Sequence, residues 1–167
     1  TLIKSGEEKR GWPFLHEGLS DESTTAKPLV WKLYTKASLG LEKYAEALRG
    51  AKAILELEEN PYRKAEALYF KSQAHNGLKQ FDEARLAASD ALNLRPAGAL
   101  DIQLRMFAGD IDITAKKPEA AIRHYIIVES TFAKSTDDKR EALAKVISTL
   151  KMIGTPKALE LLKDYQQ

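Results

Sequence analysis

Apolar residues recur along this chain with the period of a helix. Val30, Leu33, Ala37 and Leu41 make one stripe; Ala67, Phe70, Ala74 and Leu78 make a second; Leu104, Phe107, Ile111 and Ala115 make a third. Each is spaced 3, 4 and 4, which puts its members on one helix face. A later stretch, residues 137–154, is helical too, with its stripe shifted to Leu143, Val146, Ile147 and Leu150. Between the stripes run alanine-rich segments such as "KQFDEARLAASDALNLRP", residues 79–96. There Ala84, Ala88 and Ala91 share a face behind Phe81. Three methyl groups bury little area, but they let a second helix approach closely. No stretch alternates like a half-buried strand for long enough to compete.

The alanines recur. A step of 37 from Ala84 lands on Ala47, Ala121 and Ala158. Four positions further on stand Ala51, Ala88, Tyr125 and Leu162, and seven further on Ile54, Ala91, Val128 and Tyr165. All eight can pack, and their spacing is helical. Each alanine therefore opens the second helix of a two-helix unit whose first helix carries the upstream stripe. Four units are expected, at about 28–60, 61–97, 98–134 and 135–167. Punctuation agrees: Asn60 is an N-cap candidate with Pro61 behind it, Ser135 and Asp138 have capping-box spacing, Pro118 and Pro156 precede second helices, and Pro96 closes the second unit.

At this point the chain resembles the tetratricopeptide-repeat family, as a fragment of a bacterial-type member. Residues 65–96 carry the resemblance best, with Ser72, Ala74, Phe81, Ala84, Ala91 and Pro96. Residues 29–57 follow, with Trp31 at the family's large position, and residues 108–128 keep Gly109, Ala121 and Tyr125. The family's usual repeat is 34 residues, against 37 here. The resemblance implies an all-α fold, a right-handed α-α superhelix (solenoid) of about four helical hairpins. It also implies a protein- or peptide-binding scaffold that uses the concave groove lined by first helices. In the family's register the groove residues are Lys32, Lys36 and Leu39, then Glu66, Tyr69, Gln73 and Asn76, then Gln103, Met106, Asp110 and Ile113, and finally Arg140 and Ile147. Tyr69 and Met106 are candidate anchors, and Lys32 with Lys36 candidate carboxylate partners. The family's carboxylate clamp for chaperone tails is not expected, because Phe70, Gln103 and Phe107 stand at positions that need amide or basic groups. The rival expectation is a self-association module, or a middle section of a longer array, joining copies into a homo-oligomer through the end helices. Leu159, Leu161, Leu162 and Tyr165, spread around the last helix, favour it.

Composition narrows the chemistry. The 167 residues are 44% apolar and 30% charged, an ordinary globular balance, and the net charge of +2 does not call for a polyanion. Nucleic acid is not an expected partner. There is no cysteine, which removes disulfides and thiol chemistry. No apolar run approaches the ~20 residues that span a bilayer, so membrane insertion is not expected. His16, His75 and His124 are far apart and none has ligand spacing with another. His75 is expected to be a half-buried structural residue and His124 to be exposed. Asp110 and Asp112, two apart on a helix, point different ways and make no acid–base pair. No phosphate loop, nucleophile elbow or zinc motif occurs. An enzyme, a cofactor and a metal are therefore not expected.

Residues 1–27 lie outside the register and are expected to be an extension or linker partly packed on the first unit. The chain begins at Thr1 and reads as a piece of a longer protein. Pro13 and Gly18 argue against one continuous helix, and "SDESTT" argues for a loop. Trp12, Phe14 and Leu15 are too apolar for an idle linker. One of them is expected to fold back over the surface around Trp31 and Tyr34.

Overall fold

A computed structural model describes residues 6–20, 27–131 and 136–165. Ser135 and most of the "SDESTT" run lie outside the described residues. Among those described, all regular structure is helical. Contacts divide the chain into two compact units, one ending at Arg95 and the other beginning at Pro96.

The first unit holds α1 (Gly6–Gly18), α2 (Pro28–Gly40), α3 (Tyr44–Leu57), α4 (Pro61–Gly77) and α5 (Phe81–Asn93). Each helix packs on the next, and α2 also meets α4. The second unit holds α6 (Ala99–Thr114), α7 (Pro118–Thr131), α8 (Thr136–Ile153) and α9 (Pro156–Asp164), again packed consecutively. Helix starts follow local chemistry. The Asn60 side chain accepts from the Arg63 N–H, and Thr155 does the same for Ala158. Pro28, Pro61, Pro118 and Pro156 each open a helix, where an N–H has no intrahelical acceptor anyway.

The turns α2–α3, α4–α5 and α6–α7 are built alike. In each, one residue takes the left-handed conformation: Glu42 (φ 57°), Lys79 (φ 61°) and Lys116 (φ 59°). The next N–H then reaches back to close the helix end: Lys43 to the Ser38 carbonyl (2.8 Å), Gln80 to His75 (2.9 Å) and Lys117 to Asp112 (2.8 Å). This is the Schellman arrangement, here without the glycine that usually occupies the left-handed position.

The alanine face of α5 is buried at Ala84, Ala87, Ala88 and Ala91. Its small side chains let α4 come close enough for the Ser72 hydroxyl to donate to the Ala84 carbonyl at 2.7 Å. In the second unit Ala121, Tyr125, Val146, Leu150, Ala158 and Leu162 form the core, with Met106, Ile122 and Ile147 packed at its edge.

Two apolar stripes need correction. Leu33 is 49% exposed, and the buried face of α2 is instead Tyr34, Thr35, Ala37 and Ser38. The buried hydroxyls are satisfied: Thr35 donates to the Trp31 carbonyl at 2.7 Å, and Ser38 accepts from Trp12 Nε1 at 2.8 Å. Small satisfied hydroxyls pack like alanine, so the face rotates to bury the larger Tyr34. Leu78 is also exposed, because α4 ends at Gly77 and Leu78 begins the turn.

The N-terminal segment is corrected too. It is one helix, α1, which runs through Pro13. Proline removes one N–H from the ladder, and tertiary packing offsets the loss. The Trp12 ring stacks on His16 (4.5 Å between centroids) and on Tyr34 (6.1 Å), and the Lys43 ammonium lies 4.2 Å from its centroid. Tyr34 is thereby fully covered, whereas Phe14 stays 78% exposed.

The tightness of the α4–α5 crossing is testable. Ala84→Leu adds three carbons where no surface is exposed. It should lower unfolding stability by about 1–3 kcal/mol, read as a lower urea midpoint; an unchanged midpoint would mean that the crossing has room.

Candidate binding site

The described surface carries a well-formed hollow to consider as a site. It is a cavity of about 350 Å³ in the first unit, walled by the start of α2, the end of α3 and the first half of α4. Ile54, Ala67 and Phe70, members of one buried cluster, form the floor. Pro28 and Leu29 form one wall. The rim carries two ion pairs. Lys32 Nζ on α2 meets Glu66 Oε2 on α4 at 2.6 Å, and Arg63 Nη1 meets Glu58 Oε2 at 3.3 Å. Glu58 also accepts from the Asn60 backbone N–H (3.2 Å), and this bond, with Arg63, holds its carboxyl below the usual carboxylate range. The Asn60 cap and Pro61 make the sharp entry into α4 that brings Glu58 and Arg63 to the same edge.

Of the groove residues expected from the sequence, this hollow gathers only Lys32 and Glu66. Lys36 is exposed, and Tyr69, Gln73 and Asn76 are half-buried on α4. In the second unit Gln103 and Asp110 are exposed, whereas Met106 packs on the core and has structural work. Asp110 is engaged as well. The Tyr125 hydroxyl donates to its Oδ1 at 2.7 Å, and the Lys145 ammonium pairs with the same oxygen. These contacts tie α6, α7 and α8 together through one carboxylate. Pro28, Leu29, Glu58 and Arg63 were not singled out in the sequence. Their only sequence signal is the Asn60–Pro61 cap, which fixes where α4 begins.

The histidines divide between expectation and correction. His75 is half-buried, and its Nδ1 donates to Gln80 Oε1 at 2.7 Å across the α4–α5 turn. His124 was expected at the surface but is half-buried, with Nε2 3.8 Å from Asp112 Oδ2. Asp112 is itself buried, so α7 offers it an imidazole where water is excluded. Asp110 and Asp112 face different partners, as their spacing requires. His16 Nδ1 lies 2.9 Å from the Tyr34 hydroxyl, to which Arg49 Nη2 donates at 3.0 Å. Burial raises the Tyr34 hydroxyl above its ordinary pKa, with Arg49 opposing the shift.

Among the described residues no group of three or more His, Cys, Asp or Glu is arranged to hold a metal ion. No described helix is long and apolar enough to cross a membrane. No protein-family model matches the chain, and no curated protein matches it.

The buried phenol of Tyr125 gives a pH prediction. Burial first, then the hydrogen bond and charge of Asp110, push its pKa well above the ordinary 10.0. Below about pH 9 the phenol is neutral in both folded and unfolded chains and has no effect on the slope. Above it the unfolded chain loses the proton first, so stability falls as pH rises, by up to about 1.4 kcal/mol per pH unit for one proton. The urea midpoint should drop between pH 9 and 11, and Tyr125→Phe should flatten that drop. An equal drop in the variant would assign the effect elsewhere.

Proposed function

We propose that the chain is a protein- or peptide-binding scaffold made of tetratricopeptide-like hairpins. The observation that carries this reading is the recurrence of one turn. Its left-handed residues are Glu42, Lys79 and Lys116, and 79 − 42 and 116 − 79 are both 37, the step found in the alanine columns. A shared turn at a shared step supports a repeated unit of 37 residues, each unit being a hairpin and each compact body a stretch of right-handed α-α superhelix. Repeats of this kind offer the concave face lined by their first helices to partners. On α2 and α4 that face carries Lys36, Tyr69 and Gln73 beside the hollow. The function rests on the resemblance of architecture, and the site chemistry is in keeping with it: the hollow's charged groups are paired with one another.

A second reading is favoured by one feature. Met152, Leu159 and Leu161 are exposed on α8 and α9, an apolar end suited to stacking against another copy or a further repeat.

Selection of a displayed random-peptide library on the chain, with sedimentation velocity alongside, separates the two. The scaffold reading expects a monomer and selected peptides whose affinity falls about tenfold or more in Lys36→Ala/Tyr69→Ala, with helicity unchanged by circular dichroism. Peptides that bind this variant as well as the parent would move the site off the α2–α4 face. A concentration-dependent dimer abolished by Leu159→Glu would favour the second reading.

A further inference from the structure

The hollow between α2, α3 and α4 has a chemistry more specific than a general peptide groove. We infer that it takes a single uncharged aromatic side chain of a bound peptide; this rests on the scaffold reading and names the anchor that it would use. Size is the first reason. At about 350 Å³ the hollow stands at the low end of ligand sites, which run from roughly 300 to 1,000 Å³. It has room for one large side chain and too little to bury an extended cofactor.

Charge is the second reason. The rim holds two cations and two anions, and each cation already has its anion: Lys32 with Glu66 at 2.6 Å, Arg63 with Glu58 at 3.3 Å. A charged side chain entering here must either break one of these pairs or lose its own hydration without a free partner, and both are unfavourable. A neutral side chain leaves both pairs intact and removes the apolar floor from water.

The third reason distinguishes aromatic from aliphatic. The floor offers the Phe70 ring, and Lys32 and Arg63 stand at the rim. An ion-paired cation can still rest against a ring face, and an aromatic occupant gains both ring–ring and cation–ring attraction that leucine lacks. The chain already uses the latter, with Lys43 over Trp12 and Arg49 over Tyr34.

Amide NMR of the full chain tests this with defined probes. N-acetyl-tryptophanamide should shift the amides of Lys32, Glu66 and Phe70 in a saturable way at millimolar concentration. N-acetyl-leucinamide should bind several-fold more weakly, and the amides of N-acetyl-aspartate and N-acetyl-lysine should leave those signals in place. Leu29→Glu, on a side chain that is 65% exposed and so tolerant of change, should weaken the tryptophan probe at least fivefold with the spectrum otherwise preserved. Equal binding of the lysine or aspartate probe, shifts located away from the hollow, or no effect of Leu29→Glu would overturn the inference. If selected peptides bind the α2–α4 face while these amides stay unmoved, the anchor is wrong and the scaffold reading stands. If the tryptophan probe fills the hollow but no peptide is ever selected, the anchor chemistry stands and the scaffold reading fails.

Discussion

The structure depends on how closely paired helices approach one another. At the α6–α7 crossing a Cβ placed on Gly109 would lie 2.6 Å from Cζ of Tyr125, well inside van der Waals contact. At the α4–α5 crossing the Ser72 hydroxyl reaches a backbone carbonyl of the facing helix. The first contact leaves no room for a Cβ on Gly109, and the second is open only because the facing positions carry alanine and serine. They leave little apolar area at each crossing, so larger groups beside it must do the burying. Tyr125, held under Gly109, does so in the second unit, and its hydroxyl then finds Asp110 because a buried donor needs an acceptor. Tyr34 plays the equivalent part in the first unit, under the Trp12 ring.

From the same constraint follows what remains on the surface. Once α2 turns Tyr34, Thr35 and Ser38 inward, Leu29, Leu33 and Lys36 are left on its other side. Between the start of α2 and the first half of α4 the hollow lies over Ile54, Ala67 and Phe70. The Lys32–Glu66 pair bridges that opening without filling it. The proposed binding face lies on the side of α2 that the core does not take, with Leu29 at the hollow's wall.

Much of this was legible in the residues. The helices from α2 onward, the caps at Asn60 and Pro61, and the alanine columns of α3, α5, α7 and α9 could be read, because helical period and N-cap chemistry are local signals. The inward face of α2 was not. Apolar periodicity counts Leu33 and passes over Thr35 and Ser38, whose burial depends on partners, the Trp31 carbonyl and the Trp12 indole, that only the fold supplies. Helix α1 was hidden by Pro13 for the same reason, since its support is the stacking of Trp12 and His16. The left-handed turns carry Glu42, Lys79 and Lys116 instead of glycine, so they left no mark. Family register gives the direction of a residue but not its prior engagements: two candidate groove residues, Asp110 and Met106, have partners within their own unit. The hollow itself rests on residues from three helices, and no single stretch announces it.

The most direct measurement sets close approach against helix propensity. Gly109→Ala alone would stabilise a helix interior by about 1 kcal/mol. Against Tyr125, buried and held by Asp110, the added methyl group forces a shift that costs about 1–3 kcal/mol. Gly11 in α1 has no atom within 4 Å of its would-be Cβ and serves as the control. The urea midpoint should fall for Gly109→Ala and hold or rise for Gly11→Ala. A rise at both positions would mean that the paired helices have slack, and would contradict the dependence of the fold on these crossings.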